Sequence, residues 1–304
     1  MTTLGLETAN VEVNGTSLAY QQHGSSGEPV VFVHGSISDL RMWASQLNVI
    51  GDAGYQAVAY SRRYARPNPD IRTGRDDQIL THVEDLEAFL GARELAPAHL
   101  VGNSYGALVC LLVAIRSPAL MRSLVLQEPP TLRLLVHTPP RPVELARLWW
   151  RKPATATALV RLGLTMNAAA RLLVRGEIEH ALSRFCTGIL GADGEAALSQ
   201  ARRQQMRENI STFHAHLTGN LPPLRPGEVA GIAVPVLLVT GERSHPALIR
   251  LTDALAELLP NAQCVRIPSA AHTANEDNPA AYNRAVLDFL AAQRPEPLNL
   301  RNQA

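Results

Sequence analysis

Gly102-Asn103-Ser104-Tyr105-Gly106 follows the apolar Leu100-Val101 and precedes a helical run from Ala107 to Ile115. Ser104 therefore falls at a strand-to-helix turn, in the spacing G-x-S-x-G of a nucleophile elbow. The spacing has a steric cause. Such a turn lifts the serine above the strand end in a strained conformation, and passes so close to its neighbours that the residues two before and two after must be small. A serine hydroxyl is a weak nucleophile at its free pKa, so the rest of the chain should hold a base, an acid to orient the base, and donors for an oxyanion.

Working outward, short apolar runs recur at Val30 to Val33, Ala57 to Tyr60, His99 to Val101, Leu124 to Leu126 and Val236 to Val239, with a further strand expected at Gln263 to Ile267. Runs of this kind suit strands buried on both faces. Helical patterns at Leu40 to Ile50, Gln78 to Leu90, Ala107 to Ile115, Ala247 to Leu259 and Pro279 to Ala292 separate most of them. The alternation implies an α/β chain with a mainly parallel sheet covered on both sides. Asn14-Gly15, between alternating segments Asn10 to Val13 and Thr16 to Tyr20, adds an N-terminal hairpin.

Between Glu128 and Val234 the alternation stops, and Arg-, Leu- and Ala-rich helical segments replace it. We expect a core over 1–128, an inserted helical cap over 129–230 and the rest of the core over 231–304, the insertion being marked by Pro129-Pro130, Pro139-Pro140, Pro222-Pro223 and Pro226. From Thr131 to Pro226 the chain has 13 basic and 6 acidic residues against a total net charge of +1. The cap thus carries +7 and the remainder −6, a balance that either docks the cap or draws in an anionic substrate. Trp149-Trp150, beside Arg151-Lys152, could touch a membrane or line an acyl pocket, but adjacent tryptophans on a helix diverge, and one is expected in the core.

The net charge gives no argument for nucleic-acid binding, and no run of ~18 apolar residues suggests a membrane span. Cys110, Cys186 and Cys264 are far apart and read as buried thiols of a reducing, cytoplasmic compartment. No P-loop, dinucleotide fingerprint or metal-ligand spacing occurs, so no cofactor or metal is implied. Oligomeric state is left open.

The base is sought late in the chain, and His272, after the last expected strand in Pro268-Ser269-Ala270-Ala271-His272, fits. His82, His180, His214 and His216 fall on expected helices and read as surface or cap residues, His214 or His216 being able to enter a pocket from the cap. His34-Gly35-Ser36 ends the first apolar strand in a turn that aims a backbone N–H at the top of the sheet. The amides of Ser36 and Tyr105 are the expected oxyanion donors, and His34 reads as structural or substrate-facing rather than as a base.

These signals, with Thr240-Gly241-Glu242 after a strand and His272 followed by Glu276, Pro279 and Val286-Leu287-Asp288-Phe289-Leu290, resemble an α/β-hydrolase-fold serine hydrolase with a helical cap. The resemblance implies an eight-stranded sheet and a serine, acid, histidine order. Within that family an aspartate at the elbow would suggest epoxide hydrolases or haloalkane dehalogenases, and Ser104 argues against both. One departure stands out. Most members carry the acid two residues after Gly-Glu, where this chain has Ser244. Glu128, in a place resembling the alternative acid position of some haloalkane dehalogenases, and Glu242 are the candidates. Tyr60-Ser61-Arg62-Arg63-Tyr64 also departs from the family's usual turn. Arg62 or Arg63 there could bind a substrate carboxylate or pair structurally with Glu128 or a nearby acid.

The expectation is hydrolysis of a small-molecule carboxylic ester, thioester or lactone through an acyl-enzyme on Ser104. Gly-Asn-Ser-x-Gly plus a cap also resembles the C–C hydrolases of meta-cleavage products, and a polyketide thioesterase or cyclase uses the same acyl-enzyme. A hydrolase-like binding protein without turnover is the reading of another class.

Overall fold

A computed structural model describes residues 6–71, 77–137, 140–218 and 221–294. Pro139, the first five residues and the last ten lie outside the described residues. In chain order the core opens with β1 (Thr8–Val13), β2 (Thr16–His23), β3 (Pro29–Val33), α1 (Ala44–Asp52), β4 (Gln56–Tyr60), α2 (Ile79–Ala92), β5 (Ala98–Asn103), α3 (Tyr105–Arg116) and β6 (Met121–Gln127). There follow α4 (Pro142–Arg151), α5 (Pro153–Val174), α6 (Ile178–Ala197), α7 (Gln200–Glu208), α8 (Phe213–Thr218) and α9 (Pro226–Ala230). The chain returns to the sheet with β7 (Val236–Gly241), α10 (Pro246–Ala256), β8 (Ala262–Ile267), α11 (Ala274–Asp277) and α12 (Pro279–Ala291).

The eight strands form one sheet in the order β1-β2-β4-β3-β5-β6-β7-β8, antiparallel through β1, β2 and β4 and parallel from β4 onward. The Val-, Leu- and Ala-rich strands are buried because helices cover both faces. Leu86, Phe89, Leu108 and Leu112 pack on one side, and Trp43, Leu47, Tyr282 and Phe289 on the other. Register places the functional strand ends in one row: Val33 opposite Gly102, Asn103 opposite Gln127, and Gln127 opposite Val239. The residues after each strand, His34, Ser104 and Glu128, therefore emerge side by side at the carboxyl edge of the sheet. Two local readings shift. The helix expected from Leu40 starts as a 3-10 turn, Leu40–Trp43, because the Asp39 carboxylate accepts from Arg41 N at 3.0 Å. Cys264 is exposed on the edge strand β8, whereas Cys110 and Cys186 are buried.

The helices α4–α8 pack back on the core at two places. Leu148, Ala156, Leu159, Leu162 and Ile189 cluster with Ala247, Leu248 and Leu251 of α10. Leu182, Cys186, Met206 and Phe213 close over Ile37, next to the β3 turn. Polar ties reinforce the second contact. The buried Asp39 carboxylate accepts from Gln205 Nε2 and Asn209 Nδ2, both at 2.7 Å, and Arg41 pairs with Glu208 at 2.6 Å. Among the described residues one helix, α5, is long and apolar enough by composition to cross a membrane. Its inner side packs against α4, α6, α8 and α10.

Candidate active site

Ser104 has φ 50° and ψ −118°, left-handed backbone that an L-residue adopts only under constraint. Two observations supply the constraint. Ser104 N donates to Gln127 O of the neighbouring strand at 2.8 Å, and α3 begins at the next residue. A Cβ on Gly102 would lie 2.6 Å from Ala107 Cα, and one on Gly106 would lie 2.5 Å from His34 O and strike Val33 O as well. Glycine at both positions is thus a steric requirement of the turn.

His272 follows β8 on a loop pinned through its own carbonyl, which accepts from Gln127 Nε2 at 2.8 Å and Asn103 Nδ2 at 3.3 Å. The two residues that hold the histidine are therefore the neighbours of Glu128 and Ser104 in sequence. His272 Nδ1 lies 2.6 Å from Glu128 Oε2, and Glu128 Oε1 accepts from Gly241 N at 3.0 Å. The carboxylate is fully buried and has a partner on each oxygen. Glu128 has φ 47°, so this side chain too is presented by a strained strand end. With Nδ1 engaged, the free imidazole nitrogen is Nε2, and Ser104 and His272 line the same cavity.

Glu242 sits elsewhere. Its carboxylate is exposed and accepts from Ser269 N at 2.8 Å, fixing the loop before His272 without meeting the imidazole. Ser244, at the family's usual acid position, is buried with its hydroxyl unpartnered.

Ser36 lines the cavity with Ser104, and among the described residues neither Ser36 N nor Tyr105 N is given to a protein acceptor. The Tyr105 amide opens α3, where the first-turn N–H groups lack intrahelical partners and the helix dipole is positive. His34 and Arg62, read from the sequence as possible substrate contacts, are instead buried behind this turn. His34 Nδ1 meets Gly35 O at 2.9 Å and its Nε2 accepts from Arg62 N at 2.9 Å. Arg62 Nε and Nη2 donate to the carbonyls of His34 and Gly35, both at 3.0 Å. Arg62 thus binds the carbonyls of the turn, not Glu128 and not the cavity. Burial, with Arg62 beside it, holds the His34 pKa well below the usual histidine value, so His34 stays neutral.

His82 and His216, read as surface or cap residues, both have buried side chains, His82 on α2 and His216 on α8. Asp77 Oδ1 lies 2.5 Å from His82 Nε2, and Asp77 Oδ2 lies 2.8 Å from His216 Nε2, off the line of a good hydrogen bond. The His216 ring lies on Tyr105, centroids 4.1 Å apart, and Arg62 covers Tyr105 at 4.9 Å. The three groups offer ligand atoms within 4.8 Å of one another, a set that could hold a metal ion and that spacing in sequence did not suggest. With both imidazoles turned on one carboxylate, the arrangement works as a tie between α8 and the core. Burial would raise the Asp77 pKa, but the two histidines outweigh it and hold the carboxyl well below its ordinary range. Burial lowers His82, and lowers His216 to about 4 against the pull of Asp77. A signal was present in Asp77 standing five residues before His82; His216, 134 residues further on, had none.

The cavity above Ser104 is lined by Phe185, Ile189, Leu190 and Met206 of α6 and α7, and Arg202 of α7 reaches it. Arg202 Nη1 donates to Gln205 Oε1 at 2.7 Å and Ser38 Oγ at 3.2 Å, and Nε lies 3.4 Å from Glu276 Oε2. Its volume is about 40 Å³, room for a few waters at most.

Comparison with known proteins agrees with this fold. BpoC of Mycobacterium tuberculosis, named a non-heme bromoperoxidase, is 28% identical over 284 residues, covering 91% of this chain and 98% of the relative. A 2-hydroxy-6-oxononadienedioate/2-hydroxy-6-oxononatrienedioate hydrolase of Burkholderia vietnamiensis is 24% identical over 295 residues, covering 92% of this chain and 94% of its own. Carboxylesterase CesB of Bacillus subtilis shares the fold with a TM-score of 0.71 at 16% identity, over 95% of this chain and 93% of that one. A family model described as alpha/beta hydrolase fold matches residues 28–279, from before β3 to the start of α12. The chain belongs to the α/β-hydrolase-fold family.

Proposed function

We propose that the protein is a serine hydrolase that cleaves a carboxylic ester, thioester or lactone. Ser104 Oγ attacks the carbonyl while His272 Nε2 takes its proton, and Glu128 holds the imidazole in the Nδ1–H tautomer. The Ser36 and Tyr105 amides receive the oxyanion, and His272 then returns the proton to the leaving group. Water, activated by His272, attacks the acyl-Ser104 carbonyl and releases the acid. The 2.6 Å contact between His272 and Glu128, at a cavity shared with the strained Ser104, carries this reading. Ligand pockets typically measure ~300–1,000 Å³, so a cavity of about 40 Å³ must widen, by movement of the α6 and α7 side chains that line it, to take an acyl substrate.

Arg202 favours one refinement, an acyl substrate that itself bears an anionic group. That chemistry is shared with the dicarboxylate named in the Burkholderia relative, and it keeps C–C hydrolysis as the second reading. The test is turnover of p-nitrophenyl esters, a thioester and a lactone by the native protein and by Ser104→Ala. Turnover abolished in the folded variant supports the reading. Equal turnover by both refutes it, and a folded native protein that binds these compounds without turning them over points to a binding protein.

A further inference from the structure

Six of the eight large hydrophobic side chains exposed among the described residues lie within 36 positions, Val143, Trp149, Trp150, Leu164, Val174 and Ile178. Neither tryptophan is in the core: Trp150 is 90% exposed and Trp149 52%, the inward residue of that turn being Leu148. On α4 the outer positions Val143, Arg147 and Trp150 fall at i, i+4 and i+7, one stripe of the helix. On α5 the exposed positions Arg161, Leu164, Arg171 and Val174, with Arg175 just past its end, repeat the same alternation of apolar and basic. From Arg141 to Arg175 there are seven basic residues and one acidic, Glu144. Among the described residues no carboxylate pairs with Arg147, Arg151, Arg161, Arg171 or Arg175, whereas Lys152 pairs with Glu257 at 3.3 Å.

We propose that the outer face of α4 and α5 is a docking surface for an anionic lipid bilayer, on which the protein lies without crossing it. Exposed tryptophans on a basic helix face suit the level of the lipid head groups, where the ring is half wet and half apolar. Unpaired arginines complement an anionic leaflet. A second copy of the chain is the poorer occupant, because a contact through the same face would bring +6 against +6. The inner sides of α4 and α5 are already packed into the cap, so docking leaves the fold intact.

The experiment is flotation of the purified full chain with vesicles of phosphatidylcholine and phosphatidylserine (about 7:3) and with phosphatidylcholine alone, at low and high salt. The emission of Trp149 and Trp150 is followed in parallel. Two double variants, Trp149→Ser/Trp150→Ser and Arg147→Gln/Arg151→Gln, are compared after their melting curves are matched to the native protein. The proposal expects retention on the anionic vesicles with a blue shift, loss at high salt, and loss of retention and shift in the tryptophan variant. Each arginine removed should weaken partitioning about fivefold, so the arginine pair about 25-fold. Failure of the native protein to float with anionic vesicles overturns it, as does unchanged retention in both variants. A dimer in sedimentation velocity that dissociates in the tryptophan variant overturns it in favour of a self-interface.

Discussion

Replacing Glu128 by glutamine removes a charge and leaves the shape. The native carboxylate accepts from His272 Nδ1 at 2.6 Å and from Gly241 N at 3.0 Å. A glutamine has one acceptor oxygen for these two places. If that oxygen stays with the Gly241 amide, the NH2 group faces His272 Nδ1 and drives the proton to Nε2. The imidazole then donates towards Ser104 and cannot accept its proton. In other enzymes this exchange of tautomer, together with loss of the carboxylate opposite the imidazolium, costs ~10⁴-fold in kcat. Here we expect a loss of roughly 10³- to 10⁴-fold in kcat/KM for a p-nitrophenyl ester, about 4 to 5.5 kcal/mol of transition-state stabilisation. Glu242→Gln should leave kcat/KM within a few-fold, since that carboxylate is exposed and accepts from Ser269 N rather than from His272. Circular dichroism and melting curves must first show both variants folded. A folded Glu128→Gln that keeps more than about a tenth of native kcat/KM refutes the reasoning, and so does a loss confined to Glu242→Gln.

Gly106→Ala should melt several degrees lower or fail to accumulate, because its methyl meets the backbone oxygens of Val33 and His34; a native Tm would contradict the close approach. Acid should loosen the tie between α8 and the core. His216 has its pKa lowered from 6.5 to about 4 in the fold, so the unfolded chain binds the extra proton. That contribution is present above about pH 6.5, falls as pH drops towards 4, and is on the order of 3 kcal/mol in total. The depressed Asp77 acts in the same direction at lower pH. A Tm lower at pH 5 than at pH 7.5, with a smaller difference in His216→Gln, is the expected result, and an identical difference in that variant would show that other groups set it. Arg202→Gln should raise KM for an ester bearing a distal carboxylate far more than for its neutral analogue; an equal change in both would assign Arg202 to packing alone.

The sheet was legible in the sequence because the parallel strands inside it are short apolar runs, and the elbow because Gly102 and Gly106 are sterically obligatory. His272 could be placed by chain order alone. The choice between Glu128 and Glu242 could not, since both end strands at the same edge. It depends on register: Glu128 N donates to Val239 O at 3.2 Å, which sets the carboxylate beside the Gly241 amide and under the imidazole. Arg62 left a substrate-binding and a structural role open in the sequence, and only the fold reveals the carbonyls of His34 and Gly35 that take its donors. His82 and His216 look like surface residues on their own helices, and their burial arises where α8 packs over α2. Trp149 and Trp150 erred in the opposite sense. Helical divergence of adjacent residues suggested that one would turn inward, but Leu148 already fills that direction.

The account rests on an activated Ser104, and labelling by a fluorophosphonate probe, read by intact mass on the native protein and on Ser104→Ala, tests it most directly. We expect a single adduct on the native protein, mapped to the peptide containing Ser104 and absent from the folded variant. A folded native protein that takes no label, or a Ser104→Ala variant that labels as fast, would contradict it.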